Sequence, residues 1–216
     1  MTGERGRPDP GGRQDAGRGP DARSTDIDSG RGAPSWIADQ LRFCPRCGRP
    51  LRFGAVTGED RDRAACDACG HIVYVNPRLV VTTIPITPEG QVILIRRGIE
   101  PGMGAWAQPG GFLEVDETVH EAAIRETEEE TGLLVDPGRL VGLYTRLEAA
   151  VVVLALEADI VGGVATTTPE ALEVRAFHPT ELPWDGIAFE TTYWALVDWL
   201  GHRHPDVVPG GPPRGR

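Results

Sequence analysis

Glu126, Glu129 and Glu130 are spaced i, i+3 and i+4. On an α-helix those positions share one face, with Cβ atoms roughly 5–6 Å apart. Like charges so placed destabilise a helix by about 0.2–0.5 kcal/mol per pair. A divalent cation removes that penalty, because hard cations such as Mg²⁺ favour carboxylate oxygen. The spacing therefore points to metal-assisted chemistry, with an ordinary solvated acidic face as the bland alternative. A second group is made of sulfur. The only four cysteines, Cys44, Cys47, Cys66 and Cys69, form two C-x₂-C pairs eighteen residues apart, and each pair is followed by glycine. That is the spacing of a Cys₄ zinc ribbon, whose closed coordination makes the metal structural and not catalytic. Two disulfides or a redox pair are the alternatives, and a reducing compartment disfavours them.

The acidic face needs a helix to carry it. Asp116 or Glu117 is suited to start one, since a carboxylate accepts the orphan amide hydrogen bonds of the first turn. Gly132 suits a left-handed stop after the last turn. Val119, Ala122 and Ala123 begin a stripe that runs on into the three glutamates, while Ala123, Ile124, Thr127 and Thr131 line a second side that can face a core. Arg125 can reach Glu129, or fold back to Glu117 or Glu121, and so orient the cluster. Just before the helix, Gln108-Pro109-Gly110-Gly111-Phe112 should bring backbone close to the glutamates, because glycine leaves room that a side chain would fill.

Around this helix the pattern reads as an α+β or α/β domain. Strand-like runs are Leu79–Thr87, Gln91–Arg97, Leu140–Thr145, Ala150–Ile160 and Leu172–Phe177, with Pro88-Glu89-Gly90 turning the first hairpin. A second helix is expected near Ala188–Leu200, with Phe189, Tyr193, Leu196, Val197 and Leu200 turned inward. A short helix over 35–42 would lead into the ribbon. The division expected is a disordered tail at 1–34, the ribbon at 43–75, the main domain at 76–201 and an unstructured tail at 204–216.

At this point the sequence resembles a known family. Gly111, Glu117, Arg125, Glu126, Glu129, Glu130, Gly132 and Leu133 match the Nudix box position by position, apart from Thr127 at a usually aliphatic site. The resemblance runs from Phe43 to about Leu200. It implies a Nudix α/β/α sandwich with a mixed sheet, preceded by the small Cys₄ zinc ribbon. It also implies hydrolysis of a pyrophosphate bond in a nucleoside diphosphate derivative with Mg²⁺ or Mn²⁺. By resemblance Glu126 and Glu130 are the primary metal ligands, and Glu129 is a further ligand or the water activator. Glu117 supports the cluster or reaches the metal through water, and the Gly110 carbonyl is another ligand. Relatives with a zinc ribbon recruit one more carboxylate just before the last strand. Glu170 aligns best with it as ligand or base, a surface loop acid being the alternative. Gly111, Arg125 and Gly132 are supporting positions.

The segments "VNPRLVV", "PEALEVRAF" and "ELPWDGIAFETTYWAL" are similar to the zinc-ribbon ADP-ribose and FAD pyrophosphatases. NADH pyrophosphatases share ribbon and box but carry SQPWPFPxS after it. Here that region reads Gly142 to Glu148 as GLYTRLE, which lowers the NADH reading. ADP-ribose is thus the expected substrate, with FAD or NAD(H) as alternatives. A nucleotide-binding regulator on the same fold is the reading from another class, and its expected mark, a damaged acidic box, is missing. Trp106 is suited either to stack on a base or to fill the core, and Arg96 or Arg97 to touch phosphate.

Composition adds exclusions. A net charge of −10 without a single lysine disfavours a general nucleic-acid or anionic-membrane binder. The tail at 1–34 balances its Arg against acidic residues, so it is not a basic arm. No apolar run approaches the ~20 residues of a membrane span. No leader-like apolar stretch stands near Met1, and a cytoplasmic setting is expected. A homodimer is compatible with Trp184, Trp194 and Trp199, as is core packing of the same residues.

Overall fold

The computed structural model describes residues 39–207. The tail at 1–34, the first half of the expected helix over 35–42 and the end of the C-terminal tail lie outside that range. Residues 39–42 are turn and irregular chain, not helix. Residues 204–207 do pack on the domain. Val207 lies against a core cluster, and the His204 ring stands 5.3 Å from that of Trp199.

Three short strands, β1 (Arg52–Gly54), β2 (Arg63–Ala65) and β3 (Ile72–Val73), form an antiparallel ribbon. Each C-x₂-C pair closes on its glycine. Gly48 N–H donates to Cys44 O at 2.9 Å, and Gly70 N–H to Cys66 O at 2.8 Å. The two turns thereby aim four sulfurs at one point.

The second sheet is mixed and has seven strands. They are β4 (Arg78–Ile86), β5 (Val92–Arg97), β6 (Trp106–Ala107), β7 (Gly110–Phe112), β8 (Leu133–Arg146), β9 (Val151–Gly163) and β10 (Ala171–Phe177). The main order is β10-β5-β4-β9-β8, with β4 and β9 parallel. Beyond the pair Ile86–Val92, β4 and β5 part company. Strand β7 then pairs with β4 and β6 with β5, so the chain between them, Gln108-Pro109, bridges the split. The opening in the sheet is where the glycine turn sits.

Two helices cover the two faces: α1 (Val119–Thr131) and α2 (Glu190–Arg203). Strand periodicity sorts the side chains. Leu154 and Leu156 of β9 face α1 with Val81, Ala122 and Ala123, while Val151, Val153 and Ala155 face α2 with Tyr144 and Ala195. The largest cluster joins Ile84, Val92, Leu94 and Phe177 to Leu196, Trp199 and Leu200 of α2. Each such side chain contributes roughly 1.5–3 kcal/mol on full burial, so the sandwich is held from both sides.

Three expectations change. Strand β8 starts at Leu133, directly after α1, and runs through Asp136-Pro137-Gly138, which reads as loop. As the edge strand it tolerates proline, and register shifts around Pro137 and Leu140 absorb the misfit. Helix α2 turns Ala195, Leu196, Trp199 and Leu200 inward, leaving Phe189, Tyr193 and Val197 half-buried. Trp199 is therefore core and no dimer contact. Ile124 faces outward, with Ala122 taking the expected place beside Ala123.

Candidate active site

Helix α1 starts one residue later than the acidic residues suggest. Thr118 is the N-cap, and it forms a capping box with Glu121: the Glu121 amide donates to Thr118 Oγ1, and Glu121 Oε2 accepts from the Thr118 amide at 2.8 Å. Glu121 is thus committed to the cap, and burial there is slight. Gly132 ends the helix in the left-handed region, its amide donating to Glu128 O.

Glu117, freed from capping, turns back along the helix. Arg125 Nε and Nη2 donate to its two oxygens at 2.9 and 2.6 Å, and the Glu114 amide adds a bond of 2.9 Å. These bonds, the guanidinium foremost, hold the Glu117 carboxyl down at about 2. Nη1 of Arg125 reaches Glu126 at 2.7 Å and Glu129 at 3.2 Å, and Nη2 also reaches the Phe112 carbonyl. One arginine ties loop, strand and helix face together. Its partners hold it charged.

The glycine turn meets the same face. Thr83 N–H donates to Pro109 O and Leu113 N–H to Leu79 O. Counting along the antiparallel ladder, Gly110 opposite Thr82 and Phe112 opposite Val80 are the non-hydrogen-bonded positions. Their amides and carbonyls point away from β4. The Gly110 amide donates to Glu130 Oε2 at 2.8 Å, and the Gly110 carbonyl is left free of the ladder. A Cβ at Gly110 would overlap Val81 and Thr82 backbone, and one at Gly111 would sit 2.5 Å from the Glu126 carboxyl carbon. Both glycines are required by close approach.

Glu130 is 7% exposed. Burial drives its carboxyl up to about 7; the Gly110 amide opposes this, and the charges of Glu126 and Glu170 add to it. Burial also raises Glu126, against the pull of Arg125. Glu129 is exposed at the rim. Glu126, Glu129, Glu130, Thr168, Pro169 and Glu170 line a cleft of about 260 Å³. Glu170 rides on a loop tied to the end of β5, where Gly98 N–H donates to Glu170 O at 2.7 Å. The four carboxylates expected to carry the chemistry, Glu126, Glu129, Glu130 and Glu170, thus line one cleft, and Glu117 supports it from behind. The donors are hard oxygens, the kind Mg²⁺ and Mn²⁺ prefer, and a crowd of acids with a carboxyl raised by burial fits a cation.

Arg97 is the cation whose charge acts on Glu130. Its Nε donates to Pro101 O and its guanidinium lies 4.9 Å from the Phe189 ring centre. Arg96 instead bonds Gly104 O and stands 3.8 Å from Glu173. Trp106 is packed edge-on to Phe177 with Arg175 over its ring, so it is part of the wall and not an open stacking platform.

Thr83 is absent from the sequence reading. Thr127, at the aliphatic position of the box, is fully buried and its hydroxyl lies 2.7 Å from that of Thr83. A polar residue on the inward side of α1 was the signal that a partner must exist.

In the ribbon, the four cysteine sulfurs lie within 4.8 Å of one another. Cys44–Cys69 and Cys47–Cys66 are 3.7 and 3.5 Å apart, far from the ~2.05 Å of a disulfide and close to the edge of a tetrahedral zinc–thiolate site. Burial raises the Cys44 thiol, but hydrogen bonds from the Arg46 and Cys47 amides and from the Cys69 and Cys47 thiols together bring it to about 7.

Comparison with known proteins agrees. The NUDIX domain family matches residues 76–200, and the Nudix N-terminal zinc-ribbon family matches residues 42–75. The chain belongs to the Nudix hydrolase family. Its ribbon is the Nudix zinc ribbon, a structural zinc site. An ADP-ribose pyrophosphatase of Methanocaldococcus jannaschii is 35% identical over 115 residues, 51% of this chain and 68% of that protein. An NAD-capped RNA hydrolase NudC of Stutzerimonas stutzeri is 32% identical over 151 residues, 69% of this chain; the chain spans about half of it, 52%. A crystal structure of a NUDIX hydrolase from Nitrosomonas europaea superposes with a TM-score of 0.71 at 32% identity, covering 76% of this chain and 94% of that one. Among the described residues of this Nudix protein, no helix is long and apolar enough to cross a membrane.

Proposed function

We propose that this Nudix hydrolase cleaves the pyrophosphate bond of a nucleoside diphosphate derivative, with ADP-ribose as substrate and AMP and ribose 5-phosphate as products. The cleft between α1 and the loop of Glu170 carries the reading, because it gathers four carboxylates beside a carbonyl free of its ladder. Glu126, Glu130 and the Gly110 carbonyl would hold Mg²⁺ or Mn²⁺, with Glu129 as a further ligand or water activator. A bound divalent ion supplies charge neutralisation on the diphosphate and lowers the pKa of water. Arg125 and Glu117 keep the acidic face in register. Glu170, opposite Glu130, is the base or an added ligand. Arg97, whose charge acts on Glu130, would offer a cation to a phosphate oxygen.

The choice of ADP-ribose is supported by the archaeal relative's activity and by the absence of an SQPWPFPxS segment at 142–148. NAD(H) is the second reading, favoured by the NudC likeness, which is longer and takes in 69% of the chain. A substrate panel with Mg²⁺ and Mn²⁺, read by product identity, tests the proposal. ADP-ribose should lead. NADH exceeding ADP-ribose and FAD by more than about tenfold in kcat/KM would reverse the assignment. Glu130→Gln should reduce turnover by orders of magnitude; a variant that binds nucleotide and keeps its rate would remove the metal site from the chemistry.

A further inference from the structure

Thr83 lies outside the box and outside the cleft, yet it touches both halves of the site. Thr127 has one hydroxyl proton, and it goes to Ala123 O at 2.7 Å. The 2.7 Å contact between the two hydroxyls must then be Thr83 donating to Thr127. Through its side chain, Thr83 on β4 holds the middle of α1. Through its amide, the same residue holds Pro109 O at 3.0 Å. The next residue, Gly110, donates to Glu130 Oε2 at 2.8 Å. Glu130 is three residues beyond Thr127 on the same helix. The contacts therefore form a closed circuit: Thr83 to Thr127, along α1 to Glu130, across to Gly110, and back through Pro109 to Thr83.

We infer that Thr83 is a positioning residue for the metal site. It sets the spacing between the Gly110 carbonyl and the acidic face of α1, acting through Thr127 and Pro109. This rests on the reading of Glu126, Glu130 and Gly110 as metal donors. A circuit of this kind controls a distance in a way that two apolar surfaces do not, because hydrogen bonds have a narrow length range and packed methyl groups slide. Both hydroxyls are buried, so neither finds water as a substitute partner. Thr127 is thereby explained: an aliphatic residue there would leave the Thr83 proton unsatisfied.

The experiment uses the full zinc-loaded chain and reads Mn²⁺ binding without substrate, alongside kcat and KM with ADP-ribose. Thr83→Val keeps shape and the amide bond to Pro109 but removes the hydroxyl. Expected is a weakening of Mn²⁺ binding and a fall in kcat of about tenfold, the lower end for lost outer-sphere partners of metal ligands. KM should move by less than about twofold, and Thr83→Ser should restore both, since it keeps the donor. Thr83→Val/Thr127→Val should be no worse than Thr127→Val alone, as for two residues acting as one unit. Folded Thr83→Val with unchanged Mn²⁺ affinity and kcat overturns the inference. So does a Thr83→Ser variant as impaired as Thr83→Val, because that traces the loss to the methyl group. If Thr83→Val does not fold, Thr83→Ser against Thr83→Ala decides in the same way. Wild-type protein that binds no Mn²⁺, or Glu130→Gln with full affinity, sinks the metal-site reading itself and this inference with it.

Discussion

Arg125 reaches back eight residues to Glu117 with two hydrogen bonds of 2.9 and 2.6 Å, and with its remaining donors it holds Glu126 and Glu129. The glutamates that repel one another along the helix are thus spaced by a single cation. That cation is itself fixed to the loop before the helix and to the Phe112 carbonyl.

Lysine cannot replace it. A guanidinium presents its donors in a planar fork, whereas an ammonium acts as a point charge on a flexible stem. Arg125→Lys should keep the fold and lower kcat by about 10–100-fold, the range for partners that orient metal ligands. Glu117→Gln should give a smaller loss, because an amide oxygen still accepts one bond. Steady-state kinetics at saturating Mn²⁺ check this. Equal rates for wild type and Arg125→Lys would show that charge alone suffices.

The acid-raised Glu130 makes metal binding depend on pH. Burial favours its neutral form and lifts its carboxyl from 4.5 to about 7. In the metal-free protein, the stability linked to neutral Glu130 is complete below pH 4.5 and is lost as pH rises through 7. Divalent ions need the ionised form, so binding displaces a proton below pH 7. The apparent Mn²⁺ dissociation constant should therefore fall about tenfold per pH unit up to 7 and level off above it. Glu126, also raised by burial, works in the same direction. Glu117, held down at about 2, titrates outside this window. Titration calorimetry in buffers of different ionisation enthalpy would count the proton. In parallel, metal-free wild type should lose melting temperature relative to Glu130→Gln between pH 5 and 7.5. A flat pH dependence would place the ion elsewhere.

Much of this site was legible because its chemistry is local. The box residues span one turn and one helix, so helical spacing alone puts Glu126, Glu129 and Glu130 on a face. The sulfur site is legible for the same reason, each pair being a tight turn. What the sequence concealed is long-range. Thr83 and Thr127 are 44 residues apart, and nothing in either neighbourhood names the other. Strand β8 hides its start because Asp136-Pro137-Gly138 has the composition of a turn, while its edge position, which only the topology reveals, allows it to stay in the sheet. The inward face of α2 lies part of a turn from the one its large apolar residues suggest. Ala195 is fully buried on the same inward face as Trp199, and so small a residue carries too weak an apolar signal to mark that face in the sequence.

The ribbon should depend wholly on its metal. Its strands have three, three and two residues, and they form a sheet separate from the seven-stranded one. So small a sheet buries too little to fold alone, and binding of structural zinc, about 10–16 kcal/mol in small zinc peptides, is its folding energy. Metal analysis should find one zinc per chain, lost in Cys66→Ser. Hydrogen exchange in that variant should accelerate across 42–75 while β4, β9 and α1 stay protected. Loss of protection in both parts together would mean that the two fold as one unit.

Glu170 faces Glu130 from a loop fixed to Gly98, and its charge adds to the rise of the Glu130 carboxyl. Two roles for it separate cleanly. A base takes the proton of the attacking water and acts on the rate, whereas a ligand acts on the occupancy of the metal. The loop tether favours the first. Glu170 is held by its own backbone, with Glu170 N–H donating to Thr168 Oγ1 at 3.2 Å, so its position does not require a metal. Glu170→Gln should then lower kcat by about 10²–10⁴-fold, the usual range for loss of a general base. Mn²⁺ affinity should stay within about threefold, and excess Mn²⁺ should not restore the rate. If Glu170→Gln instead weakens Mn²⁺ and recovers its rate when the metal is raised, Glu170 is a ligand, and the base must be sought at Glu129.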